Sequence, residues 1–314
     1  MNQTAPRIDP GSHALTATNL VGMVLLALIW GLSVPVTKLG LVTMPPLTLT
    51  TLRFAIAVPL LLILIIGRKR LPLAAMPRVA ALGVLGIGVG QVAQTFCVQE
   101  TSASVGTVIT ATIPIFVVVF AALRLKQPVS PLQIVGLVTA FGGIGLVAYG
   151  DGAGSTGPAQ TTALGVLLGL VSALAVAFYY VWGAQLTEQY GMAVVAAWST
   201  LFGLVPLLPF AGWEMGHTSF RFTVEAMLSA VYLGVAVTAA GLFLWLWLLK
   251  QVPARMAASV QYLQPVFGVV ASALMFGDRM GPLFFGGASM ILMGIALAMT
   301  PGRTKKRKMA AQVE

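Results

Sequence analysis

With 314 residues, of which 58% are hydrophobic and only 8% charged, the chain cannot alternate a polar face with a buried one as a water-soluble domain does. Its net charge of +10 would suit nucleic acid, but the basic residues sit in short clusters between apolar runs and in the tail Arg303 to Lys308; membrane topology accounts for them and excludes a nucleic-acid partner. A single cysteine, Cys97, rules out an intramolecular disulfide, and His13 and His217 join no cluster with metal-ligand spacing, so no metal or other cofactor is expected.

Residues 1–19 hold Arg7, Asp9 and Pro10 ahead of any hydrophobic run, which reads as a retained cytoplasmic tail rather than a signal peptide. Beyond them, apolar runs of about twenty residues recur, the length a helix rising about 1.5 Å per residue needs to cross a roughly 30 Å hydrocarbon core. Continuous runs, rather than alternating ten-residue ones, select helices over a barrel. Breaks at Gly, Pro and charge clusters predict spans at 20–40, 47–66, 79–98, 102–123, 131–149, 163–183, 192–212, 224–248, 254–276 and 281–300. The expected fold is therefore an all-α integral membrane protein of ten transmembrane helices.

The first span ends in WGLSVPVTK, Trp30 to Lys38. Pro35 removes a backbone hydrogen bond there and can let the helix bend as a gate, placing Trp30 and Ser33 near a pathway. Lys38 is costly in lipid and reads either as a site residue or as a side chain snorkelling to the interface. Arg53, deeper in the second span, favours a structural role, capping helix carbonyls or pairing with an acid, over capture of a substrate carboxylate. On the third span Gln91 and Gln94 lie three apart on one face, and Gln261 and Gln264 repeat that spacing on the ninth. Amides both donate and accept, which suits an amino group and a carboxylate, although interhelical hydrogen bonding would use them equally well.

Pro114, Pro206 and Pro265 mark further kinks, either gates or mere packing geometry. Among the aromatics, Trp30, Tyr179 and Tyr262 sit deep enough to line a cavity for an apolar or aromatic substrate, whereas Trp182 and Trp213 near span ends read as interface anchors. The glycines of GVLGIGVG at Gly83 to Gly90 mimic a nucleotide loop, but without a preceding strand or a following Lys-Ser they read as helix packing. Glu100, Asp151, Glu188, Glu214, Glu225 and Asp278 all fall at span ends or in loops, so a proton-coupling carboxylate inside a span is not expected.

Residues 151–162, rich in Gly, Ser, Thr and Pro, read as a linker dividing the spans five and five, with repeats at 20–150 and 163–300 and a basic cytoplasmic tail at 301–314. A shift of 151 residues superposes Pro114 on Pro265, Phe116 on Phe267, Gly136 on Gly287 and Gly143 on Gly294. An odd number of spans per half forces the second to enter the membrane in the opposite sense, giving two inverted five-helix repeats. With the N-terminus cytoplasmic, the inside segments collect Arg7, Arg68, Lys69, Arg70, Arg78, Arg124, Lys126, Lys250, Arg255, Arg303, Lys305, Lys306, Arg307 and Lys308, fourteen of the eighteen Lys and Arg residues, which predicts both termini inside.

The segments WGLSVPVTK, LRFAIAVPLLL at Leu52 to Leu62 and TSASVGTVITATIPIFVVVFAALRL at Thr101 to Leu125, in this order and duplicated, resemble the drug/metabolite transporter superfamily, specifically its EamA-type ten-helix members, including amino-acid exporters of the YddG type. The resemblance covers nearly the whole chain. It implies a two-repeat transporter with a central cavity, often exporting amino acids or other small metabolites. The family usually carries a glutamate just after the fourth span of each repeat; Gln127 and Asp278 stand there, so the first half has no carboxylate for that role.

Together these readings predict a multi-pass protein of the inner (plasma) membrane, surrounded by lipid. It would export small-molecule substrates, amino acids first, by alternating access through a cavity made chiefly of spans one, three, four, six, eight and nine. A monomer would suffice. Nucleotide-sugar, phosphorylated or cationic substrates, or an integral-membrane transferase, are the competing readings; the transferase lacks any loop with paired carboxylates or a His/Asp motif.

Overall fold

The structure, a computed structural model, describes residues 16–68, 71–125, 130–154, 161–252, 260–278 and 280–299. Among these every regular element is helical. Eight helices are long and apolar enough to cross a membrane: α1 (Ala17–Gly40), α2 (Pro46–Leu64), α3 (Leu73–Gln99), α4 (Ala103–Arg124), α5 (Pro131–Gly150), α6 (Ala163–Tyr190), α7 (Met192–His217) and α8 (Val224–Gln251). Two shorter apolar helices follow, α9 (Val260–Phe276) and α10 (Pro282–Ala298), each of 17 residues.

Local chemistry sets the starts. The hydroxyls of Thr16, Ser102, Thr162 and Thr223 accept N–H groups of the first turns of α1, α4, α6 and α8. Pro46 and Pro282 open α2 and α10, where the missing N–H has no partner to lose. The ninth predicted span began at 254, but residues 253–259 lie outside the described set, as do both predicted tails except for a few residues. The helix that starts at Pro131 runs on to Gly154, and residues 155–160 of the expected linker lie outside the described residues.

Four irregularities interrupt the helices, of which only the two π-helical stretches were not anticipated from the sequence. The third and eighth helices each contain a π-helical stretch, Leu82–Val89 and Tyr232–Ala240. Helix α1 is interrupted at Leu32, one turn before Pro35, and α4 at Ala111 and Thr112, just before Pro114. Pro206, Pro209 and Pro265, by contrast, lie inside uninterrupted helices, so a missing N–H alone does not break them.

Glycines bring helices together across the two halves. A β-carbon at Gly143 would sit 2.6 Å from the Gly287 carbonyl oxygen, and one at Gly287 would sit 2.6 Å from that of Gly143, which pins α5 against α10. One further pair of close approaches matches between the halves. A β-carbon at Gly83 of α3 would run into the Ser199 carbonyl of α7, and one at Gly234 of α8 would lie 2.7 Å from the Arg53 carbonyl of α2. Cys97 is buried in an apolar cluster with Val105, Ile109 and Ile144, consistent with a packing role.

Candidate functional site

A cavity of about 240 Å³ opens between the two halves of the chain. From the first half, α1 contributes Trp30, Gly31, Ser33 and Val34, α2 contributes Arg53, α3 contributes Gln91 and Gln94, and α4 contributes Thr107, Thr110, Ala111, Ile113 and Pro114. From the second half, Val176 and Tyr180 come from α6, Val237 and Thr238 from α8, and Gln264 and Pro265 from α9. These are the six spans named from the sequence, with α2 added through Arg53.

The breaks in α1 and α4 fall in the cavity wall. Pro35 brings no N–H to the Gly31 carbonyl, nor Pro114 to that of Thr110, and Gly31 and Thr110 both line the space. In α4 the interruption is held by Thr112, whose backbone N–H and hydroxyl both donate to the Ile109 carbonyl at 3.0 and 2.6 Å. The π-helical stretch of α3 ends just before Gln91, and that of α8 contains Val237 and Thr238, so both irregular segments set the phase of cavity residues.

Trp30 is tied to α8: its Nε1–H donates to the Val237 carbonyl at 3.0 Å, and its indole packs where a β-carbon at Gly241 would have to stand. Arg53 is fixed twice. Its Nε–H donates to Thr238 Oγ1 at 3.1 Å and its Nη1–H to Gln91 Oε1 at 2.6 Å, while the Thr238 hydroxyl in turn donates to the Leu233 carbonyl at 2.8 Å. Among the described residues Arg53 caps no carbonyl and has no carboxylate within ion-pair distance.

Lys38 is placed elsewhere. Its Nζ donates to the carbonyls of Val98, Gln99 and Thr101 at 2.8, 3.1 and 2.6 Å, closing the C-terminal end of α3. Tyr179 also points away, packing with Leu186, Val194 and Val195 and accepting the Ser199 hydroxyl at 3.3 Å; its neighbour Tyr180 faces the cavity instead. Tyr262 packs beside the α5–α10 contact and donates to Met299 Sδ at 3.0 Å. Pro35 is buried outside the lining, and the side chain of Gln261 lies outside the described residues. Trp30, Ser33, Gln91, Gln94, Arg53, Gln264, Pro114 and Pro265 are brought together. Thr107, Thr110 and Thr238 were missed; threonine on a greasy helix usually spends its hydroxyl on a carbonyl one turn back, and its free lone pairs leave no trace in sequence.

Two acidic residues hold helix starts. Glu214 accepts the Leu47 and Thr48 N–H groups and the Thr48 hydroxyl at the start of α2. Asp278 accepts the Ser104 N–H and hydroxyl at 2.9 and 2.7 Å at the start of α4. Gln127, the corresponding position in the first half, lies outside the described residues.

Comparison with known proteins decides the family. The EamA-like transporter family matches this chain twice, over residues 18–149 and 163–300. The chain belongs to that family. Like other members of the EamA-like family it is a multi-pass membrane protein of a transporter class. It is 27% identical over 294 residues to a probable amino-acid metabolite efflux pump of Escherichia coli, covering 90% of this chain and 95% of that one. An uncharacterised transporter of Archaeoglobus fulgidus is 27% identical over 270 residues, covering 86% and 94% of the two chains. A probable terminal-alkyne amino-acid exporter of Streptantibioticus cattleyicolor is 26% identical over 302 residues, covering 90% and 97%. One solved crystal structure superposes with a TM-score of 0.61 at 19% identity, over 90% of this chain and 96% of the other, a likeness of fold alone.

Proposed function

We propose that this EamA-family protein exports amino acids or similar small zwitterionic metabolites across the inner (plasma) membrane, both its termini facing the cytoplasm. Ten spans in two inverted repeats would rock about the central cavity in alternating access. At 17 residues, α9 and α10 are at the short end of what crosses a bilayer. The paired glycine contacts support inverted repeats: exchanging the halves turns the Gly136–Gly294 contact into Gly287–Gly143, and the α3–α7 contact into α8–α2.

The observation that carries the reading is the cavity's composition. At about 240 Å³ it falls below the roughly 300 Å³ at which pockets for drug-sized ligands begin, a size for a small metabolite. Its wall combines one arginine, three glutamine amides and three threonine hydroxyls with the rings of Trp30 and Tyr180. A nucleotide-sugar or phosphorylated substrate would call for more cationic groups than Arg53 alone. The described carboxylates at helix ends, Glu214 and Asp278, are committed to capping, which favours movement down the substrate's own gradient over proton coupling. The names of the Escherichia coli and Streptantibioticus relatives point the same way.

Uptake of a panel of radiolabelled amino acids, including Trp, Phe, Thr and Met, into liposomes carrying the purified protein without any ion gradient tests this. Saturable uptake is expected. Uptake that appears only with an imposed pH gradient would contradict the uncoupled mechanism, and no uptake of any would move the assignment to another metabolite class.

A further inference from the structure

Arginine carries five N–H donors in a rigid fork and no acceptor. In Arg53 two of those donors are engaged, Nε–H by Thr238 and one Nη1–H by Gln91, and the Nη2 amino group makes no hydrogen bond among the described residues. Both partners are neutral, and the fork lies in the wall of the cavity. A cation at membrane depth needs backbone carbonyls, water or an anion to complete its solvation, and an anion entering the cavity answers the charge of one whose donors are only partly engaged. Here the protein orients the charge without supplying that anion among the described residues.

The partner's orientation follows. Because guanidinium only donates, Gln91 must present Oε1 to it, which turns the Gln91 amide N–H groups outward as donors beside the arginine. The α2–α3–α8 side of the cavity is therefore rich in donors and positive. The α4 side has the opposite character. The Thr107 hydroxyl gives its proton to the Ala103 carbonyl at 2.8 Å and the Thr110 hydroxyl to the Thr107 carbonyl at 2.9 Å, so both turn lone pairs, not protons, to other partners. Pro114 withholds the helical N–H from the Thr110 carbonyl, adding a third acceptor on the same wall.

We propose that this polarity selects a zwitterion: the carboxylate of the substrate pairs with the Nη2 group of Arg53 and the Gln91 amide, and its ammonium group with the Thr107 and Thr110 acceptors of the broken turn in α4. The assignment rests on the amino-acid reading above and deepens it. Arg53 is then a binding residue, while Thr238 is a positioning residue that acts by holding the fork.

The test is competition against uptake of radiolabelled phenylalanine into liposomes carrying the full-length protein. Phenethylamine, which keeps the ring and ammonium but lacks the carboxylate, is expected to compete at least tenfold more weakly than unlabelled phenylalanine. 3-Phenylpropionate, which keeps the carboxylate alone, is expected to be weakened by Arg53→Gln and indifferent to Thr110→Val. Equal competition by phenethylamine and phenylalanine overturns the proposal with the wild-type protein alone, so a failure of Arg53→Gln to fold would not shelter it. If no amino acid of the panel is transported, the amino-acid reading fails separately. Thermal shifts of the purified protein then decide the Arg53 assignment: stabilisation by 3-phenylpropionate and not by phenethylamine upholds it, and the reverse overturns it.

Discussion

Two described cations of the first half, Lys38 and Arg53, are treated in opposite ways. Lys38, at the end of α1, meets three backbone carbonyls at the end of α3, acceptors that need a donor because the helix stops there. Arg53, at the cavity, donates hydrogen bonds to a threonine hydroxyl and a glutamine amide oxygen and lies over the Phe54 ring, all of them neutral. The first arrangement discharges the ammonium into the fold. The second aims a guanidinium and leaves its charge to be answered. A costly charge in an apolar segment thus marks function only when its partners are examined: backbone termini absorb a charge, whereas neutral side chains merely orient it.

Substitutions can break this contrast. The largest effect is expected from Arg53→Gln, which should lower transport more than tenfold while the amount of folded protein in the membrane stays near wild type; loss of both in parallel would place Arg53 with Lys38 as a structural group. Lys38→Met should do the converse. It strips three carbonyls of their donor, costing about 1–3 kcal/mol of stability, so the unfolding midpoint in detergent should fall while transport per folded molecule is retained. Asp278→Ala, which uncaps the start of α4 at the same end of the bundle, should cost about 1 kcal/mol and likewise spare transport per folded molecule. Pro265→Ala is expected to act most mildly, lowering transport more than it lowers the folded amount, because Pro265 lines the cavity inside an unbroken helix; an equal loss of both would assign that proline to packing.

The two prolines superposed by the 151-residue shift sharpen the point about legibility. Pro114 and Pro265 are equivalent in sequence, yet α4 is interrupted and α9 is not. The difference lies in the neighbours: Thr112 can hold an opened turn with its N–H and hydroxyl, while Leu263, at the equivalent place, has no side-chain donor. Depth and polarity singled out Gln91, Gln94 and Gln264, which line the cavity, because a polar group far from water must have a partner or a cavity. They were not enough to choose Tyr180 over Tyr179. Adjacent helical residues point about 100° apart, and in a span whose lipid-facing and protein-facing sides are both apolar no hydrophobic stripe fixes the phase.

What the sequence determined by itself is the solvent and the elements. Apolar runs of membrane length, punctuated by Gly, Pro and basic clusters, dictate helices in lipid, since no other open structure satisfies its backbone there. The matched glycines and prolines announced two related halves. Only the tertiary structure decided which charge is spent on the fold and which faces the cavity, and which tyrosine lines it. Those outcomes depend on long-range partners, such as Val98 to Thr101 for Lys38 and Thr238 for Arg53. They depend also on π-helical and broken turns that rotate side chains by amounts a regular helical period does not contain.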